Sequence, residues 1–277
     1  MGVLWNVGNS IPGVKETLEK FKLCGKKMGF VSNNSLQGAV GIYQRLTGFI
    51  DCVEMNDIVL PIHAIISYLK NINFDKEIYI IGSTHMKQEF VKDGLKVSNK
   101  EIDVKDDVQH LMRELSQRNE NIGAVVFDYD IFVSYLSLVQ VVFLLKQKDI
   151  IFITGATDKK VPITPNITLP GPQMFVDALL AVVEQTPIEF GKPSLNFSDF
   201  IKVKYNIEDA SRVLFVGDSI EQDVEFGSIS GFQTLLVLTG LSTLADAKNC
   251  SNCLQVPEYY IDSLGSFSEL VFNKLGI

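Results

Sequence analysis

Short apolar runs alternate with helix-like amphipathic stretches almost from end to end, and this alternation most limits what the chain can fold into. Runs that stay apolar without a polar alternate suit strands covered on both faces, the situation of a parallel sheet between helices. They are Glu77 to Ile81, Ala124 to Phe127, Asp149 to Thr154, Val213 to Gly217 and Thr234 to Leu238. Near the start, Gly13 to Lys22 places Val14, Leu18 and Phe21 on one helical face. Gly25 stops that helix, and Lys27 to Ser32 (KMGFVS) follows as a short strand ending in polar residues. The expected fold class is α/β, a doubly wound parallel-sheet core.

A chain of 277 residues suffices for two domains. Residues 1–75 and 188–277 carry the polar strand ends described below, whereas 76–187 repeats a βα pattern of its own. Pro162, Pro165, Pro170 and Pro172 punctuate the end of that middle block, as at a hinge or active-site loop. The expectation is a core domain (1–75 and 188–277) interrupted by an inserted α/β domain (76–187).

A net charge of -8 and a pI near 5.0 exclude a broad nucleic-acid surface, which needs clustered Lys and Arg against phosphates. Small anionic ligands need only a local positive pocket and stay open. Apolar runs such as Val141 to Leu145 are too short to span a bilayer, so no membrane partner is expected. The beginning of the chain shows no secretory signal pattern, and a cytoplasmic protein is expected. Four cysteines, Cys24, Cys52, Cys250 and Cys253, are too scattered for a disulfide framework. Cys250 and Cys253 have the spacing of half a zinc site, but no second Cys or His pair lies nearby, and a surface loop is the better reading.

In a doubly wound sheet, ligands bind beyond the carboxyl ends of the strands. Three polar stretches occupy such places. In Phe30-Val-Ser-Asn-Asn-Ser35, a hydroxyl and two amides lead into a helix start, a suitable cradle for phosphate oxygens. Taken alone, a Ser or Asx cap is the simpler reading. In Gly191-Lys-Pro-Ser194, Pro193 fixes a turn and Lys192 can set one ammonium over an anion, though a single Lys is more often a solvated charge.

The third stretch is the most specific. In VLFVGDSIEQDVEFG, residues 213–227, an apolar strand runs into Gly217 and Asp218, and Asp223 follows at the next helix start. A carboxylate ending a buried strand needs charge compensation, which Mg2+ supplies with its preference for carboxylate and water oxygens. Asp223 would bind the metal or orient its ligands. The bland alternative is a helix cap at Asp218.

Taken in order, GVLW…IPG, FVSNNS, GKPS and VGDSIEQDVEFG…GFQTLLVLTG resemble the haloacid dehalogenase-like phosphatases, and within them the p-nitrophenylphosphatase group that contains phosphoglycolate phosphatase and pyridoxal phosphate phosphatase. The resemblance covers nearly the whole chain and implies that the inserted block is a cap. It implies a Mg2+-dependent phosphomonoesterase acting on small phosphorylated metabolites through an aspartyl-phosphate. On this sequence Ser32, Asn33 and Asn34 would hold the phosphate, Lys192 would stabilise it, Asp218 would bind Mg2+ and Asp223 would support the metal. Capped relatives also imply a homodimer through the cap.

The departures from the pattern are as informative. The family's Asp-x-Asp motif precedes GVLW, and here Met1 stands where its second Asp should be. Asp128 and Asp130 lie in the middle block, with a structural or surface role expected. The strand carrying that motif would sit mid-sheet, and its loss would orphan buried backbone groups. A truncated sequence is therefore the preferred reading over an evolved pseudophosphatase that binds phosphorylated ligands, and the 277-residue form is expected to be inactive as written. Ser219 replaces a common Arg, Glu221-Gln222 replace an acidic and hydroxyl pair, Pro172-Gln173 interrupt a Gly-rich turn, and Thr154 to Asp158 (TGATD) lacks a usual Asn. A Ser-His-Asp hydrolase finds no nucleophile elbow, and His63, His85 and His110 lie in or near the middle block. No P-loop motif occurs.

Overall fold

The computed structural model describes residues 2–6, 9–51, 53–98, 108–116, 120–164, 166–272 and 274. Met1, Cys52 and Pro165 lie outside them. In chain order the regular elements are α1 (Val14–Leu23), β1 (Phe30–Val31), α2 (Gly38–Thr47), β2 (Ile58–Val59), α3 (Pro61–Asn71), β3 (Glu77–Ile81), α4 (Thr84–Lys92), β4 (Lys96–Val97), α5 (Val108–Ser116), β5 (Ile122–Phe127) and α6 (Tyr135–Leu145). There follow β6 (Ile151–Thr154), β7 (Lys160–Thr164), β8 (Ile167–Pro170), α7 (Pro172–Leu180), β9 (Ile188–Glu189), α8 (Leu195–Tyr205), β10 (Leu214–Gly217), α9 (Glu225–Ser230), β11 (Gln233–Val237), α10 (Leu244–Asn249) and β12 (Tyr259–Ile261).

The middle of the chain forms a five-stranded, all-parallel sheet in the order β4-β3-β5-β6-β9, from Glu77 to Glu189. Its central strand β5 is buried throughout. Ala124 and Val126 face the large cluster shared with the core domain, while Val125 and Phe127 face α6 and α7. That two-sided burial explains why β5 reads as an unbroken apolar run. An antiparallel hairpin, β7-β8, projects from this domain with an exposed β8.

The core domain departs from a single continuous sheet. Among the described residues its parallel strands form two separate sheets, β1-β2 and β10-β11-β12. Phe30 and Val31 of β1 and Leu214, Phe215 and Val216 of β10 are only half-buried, although their partners in β2 and most of β11 are buried. Apolar residues in a helix-covered parallel sheet are normally buried on both faces. The division runs between β1-β2 and β10-β11-β12. It also explains why KMGFVS yields a strand of two residues rather than six: β1 pairs with β2 alone.

Helices lock the halves together. Ile62, Ile65, Ile66 and Leu69 of α3 are buried in the large cluster, and Tyr68 packs on Phe190 with ring centroids 5.3 Å apart. Phe215 of β10 packs with Phe197, Phe226 and Phe232 in one aromatic cluster, with Phe226 edge-on to Phe215 and Phe232. Gly2-Val-Leu-Trp5 forms a turn: the Gly2 amide donates to Trp5 O at 2.8 Å, and Trp5 bridges Ser10. Gly2 takes φ +99°, and a Cβ there would lie 2.3 Å from Asp218 Oδ2, so only glycine fits. No helix of the described residues is long and apolar enough to cross a membrane.

Candidate phosphate site

The exits of β1, β9 and β10 converge. After β1 the chain turns through Ser32 to Ser35, and the buried Asn33 side chain points inward. Its Nδ2 donates to Lys192 O at 3.0 Å, to Gln222 Oε1 at 3.0 Å and to Asp158 Oδ2 at 3.3 Å, while its Oδ1 accepts from Lys192 N at 2.9 Å. One amide thus ties the β1 loop to the second half of the core and to the middle domain. Ser32 and Asn34 act differently. Ser32 Oγ accepts from Asn34 N at 3.1 Å, and the exposed Asn34 side chain accepts from Leu36 N at 3.0 Å. Both shape the turn, which leads into α2 without a side-chain cap.

Lys192 follows β9 in a turn closed by a cis Lys192-Pro193 peptide. Ser194 then caps α8, accepting from Phe197 N. The Lys192 ammonium is buried, 2.5 Å from Asp223 Oδ1. Burial alone would lower its pKa, but the charges of Asp223, Asp158 and Asp218 outweigh that, and the net direction is upward. The ammonium therefore stays charged.

Gly217 ends β10, and a single wide π-helical turn, Ile220–Val224, carries Asp223 back toward it. Asp223 Oδ2 accepts from the backbone N–H groups of Asp218 at 3.0 Å and Ser219 at 3.2 Å. Asp218 Oδ2 accepts from Leu241 N at 3.1 Å. Burial, with the Asp223 charge adding to it, pushes the Asp218 carboxyl up to about 6. Asn33, Lys192, Asp218 and Asp223 thus form one buried cluster of amide, ammonium and carboxylates.

The sequence assigns no site role to Asp158, Asp128 or Ser35, and in it Gln222 figures only as a departure from pattern. Asp158 follows β6, and burial raises its pKa against the lowering effect of Lys192 and Asn33. Asp128, expected to be structural or at the surface, is fully buried at the end of β5. Only the signal "polar residue after an apolar strand", applied to the middle domain as well, could have found these two. Asp130 accepts from Phe132 N within its own loop. Cys250 is half-buried, with its thiol 3.3 Å from Gln255 Oε1, and Cys253 is exposed.

The described residues contain no cluster of three or more His, Cys, Asp or Glu side chains arranged to hold a metal. Mg2+ is commonly held through one or two carboxylates with water and phosphate oxygens completing its shell. Asp218 fits that limited role: its Oδ1 has no hydrogen-bond partner among the described residues, and its raised pKa marks a carboxylate short of positive charge. Asp223 has both oxygens engaged, so it fits a supporting role.

A parallel α/β core interrupted by a second α/β domain, with a buried ammonium and carboxylates at its strand exits, defines a two-domain α/β protein with a buried polar site. A haloacid dehalogenase-like hydrolase profile matches residues 1–96, and a second, HAD-hydrolase-like, matches residues 189–267. Phosphoglycolate phosphatase 2 of Arabidopsis thaliana is 29% identical over 274 residues, covering 98% of this chain and 90% of the relative. The structure of p-nitrophenyl phosphatase from Archaeoglobus fulgidus superposes with a TM-score of 0.82 at 23% identity, covering 98% of this chain and 96% of that one. A glycerol phosphate phosphatase from Mycobacterium tuberculosis, solved in complex with magnesium, gives a TM-score of 0.78 at 21% identity over 96% of this chain and 73% of that one. The chain belongs to the haloacid dehalogenase-like phosphatase superfamily.

Proposed function

We propose that the site receives the phosphate group of a small phosphorylated metabolite, of the phosphoglycolate or pyridoxal phosphate type, as the binding half of a Mg2+-dependent phosphomonoesterase. The observation that carries this reading is the buried Lys192 ammonium, held charged among three aspartates beside the Asn33 amide. A permanent cation and amide donors recognise phosphate oxygens, and a fixed cation stabilises charge on a transferring phosphoryl group. Mg2+ bound at Asp218 would supply further positive charge against the phosphate. The Arabidopsis relative, by its name a phosphoglycolate phosphatase, supports this substrate class.

The aspartates described at the site already have partners or another role. Asp223 is paired with Lys192, Asp158 accepts from Asn33, Asp218 accepts from Leu241 and would give its other oxygen to the metal, and Asp128 is enclosed by Ser35, Tyr129 and Ala156. The 277-residue polypeptide is accordingly expected to bind phosphate without turning over esters. Calorimetry with inorganic phosphate, with and without Mg2+, beside an assay on p-nitrophenyl phosphate, tests both halves. Phosphate binding without turnover is expected; absence of binding removes the site, and robust turnover free of contaminating phosphatase removes the inactivity.

The alternative is a non-catalytic protein that uses the same site for binding alone. A version extended ahead of Gly2 by an apolar strand ending in Asp-x-Asp separates the two, since only the enzyme reading expects it to gain Mg2+-dependent turnover. A homodimer through the middle domain completes the proposal, supported by the exposed Ile131, Phe132 and Tyr135 beside β5 and α6. Light scattering of the purified protein tests it.

A further inference from the structure

The loop that carries Asn33 is also held from the opposite side, by the exits of three neighbouring strands of the middle-domain sheet. Ser83, after β3, donates from its hydroxyl to Ser35 O at 3.0 Å while capping α4. Asp128, after β5, accepts from Ser35 Oγ at 2.5 Å. Asp158, after β6, accepts from Asn33 at 3.3 Å. The middle domain therefore grips the loop at residues 33 and 35, on either side of the outward-pointing Asn34.

Of these contacts, Ser35 with Asp128 is the enclosed one. Ser35 is 2% exposed and Asp128 is 0% exposed. Asp128 Oδ1 also accepts from Tyr129 N, and its Oδ2 accepts from Ala156 N at 3.2 Å. Gly155 leaves the space it fills, since a Cβ there would lie 1.7 Å from Oδ2. A buried carboxylate is costly unless its oxygens are bonded, and one of the bonds that satisfies Asp128 comes from the other domain. Separating the domains would therefore expose that carboxylate to a new partner, water, and free Ser35 at the same time.

We propose that Ser35 and Asp128 form the latch that seats the middle domain on the core, and that through it they are positioning residues for Asn33. The latch stands on the contacts above, and its consequence for ligand binding rests on the phosphate-site reading. When the latch is closed, the 33–35 loop is fixed from both sides and the Asn33 amide is preorganised. When it is open, only the core side remains.

The test is hydrogen exchange by mass spectrometry on the full chain, with Ser35→Ala, Asp128→Ala and the double variant. Ser198→Ala serves as control, since that buried hydroxyl has no hydrogen-bond partner. Ser35→Ala is expected to raise exchange about tenfold in segments 33–36, 127–130 and 155–157, the loss of one buried hydrogen bond, with β11 unchanged. The double variant should exchange no faster than the faster single one, because both break the same contact. Unchanged exchange in those segments, an equal rise throughout the chain as in a general loss of stability, or multiplied effects in the double variant would each overturn the latch. Calorimetry with inorganic phosphate then separates the two layers. Failure of the unaltered protein to bind removes the phosphate reading, leaving the exchange result to decide the latch. Binding that is equal in the unaltered protein and a loosened Ser35→Ala variant overturns the positioning role.

Discussion

The Lys192 ammonium and the Asp223 carboxylate meet at 2.5 Å, both buried, with the remaining oxygen of Asp223 bonded to two backbone N–H groups. Removing one partner of such a pair leaves an uncompensated buried charge. Lys192→Met is expected to destabilise the protein by about 3 to 5 kcal/mol in urea titration. Lys192→Met with Asp223→Asn should recover more than half of that loss, because the neutral amide oxygen can still accept from the backbone. No recovery would show that Asp223 is not the partner that matters.

Asn33 both donates and accepts. Asn33→Ala strands the Lys192 amide and is expected to cost about 2 kcal/mol. Asn33→Asp should cost more than Asn33→Ala. It sets a further carboxylate against Asp158 Oδ2 and turns the donor facing Gln222 Oε1 into an acceptor. Thermal and urea unfolding of the two variants give the order, and the reverse order would remove Asn33 from the centre of the network.

Two glycines are needed for different reasons. A Cβ on Gly217 would lie 2.0 Å from the Asp223 Cβ, so Gly217→Ala must displace Asp223 and is expected to cost about 1 to 3 kcal/mol and to weaken phosphate binding. Gly25 has open space around it but a φ of +68°, so Gly25→Ala should cost only about 1 to 2 kcal/mol and leave phosphate binding unchanged. Calorimetry with inorganic phosphate on both variants makes the comparison.

Burial pushes the Asp128 carboxyl up to about 6, against the lowering effect of its hydrogen bonds. Its proton is therefore held more tightly in the folded state than in the unfolded one. Its contribution to stability is fully present below about pH 4 and is lost as the pH rises to about 6, a change of about 3 kcal/mol. Urea titrations of the unaltered protein and Asp128→Asn across that window should show the difference between them shrink or reverse by this amount. A constant difference would show that Asp128 ionises in the folded state as readily as in the unfolded one.

Much of the architecture was legible because it rests on local, repeating physics. The apolar runs at Glu77, Val213 and Thr234 each became strands within a residue or so of their expected bounds, and the helix after Gly13 starts at Val14 and ends at Leu23. Strands as short as Ile58–Val59 and Ile188–Glu189 were not legible, since two residues carry no period and exist only through their partners.

The sequence by itself determined the alternation of strands and helices, the insertion of one α/β block into another, and the residue types at the strand exits. Tertiary structure alone decided which of those polar residues meet. It turned Asn33 inward and Asn34 outward from one dipeptide, and joined Lys192 to Asp223 across 31 positions and Ser35 to Asp128 across 93. The physical reason is that a strand's apolar period reports only its own burial, whereas a hydrogen bond between exits depends on how distant segments pack. The division of the core into two sheets belongs to the same class, because pairing is a property of two strands and neither carries it alone.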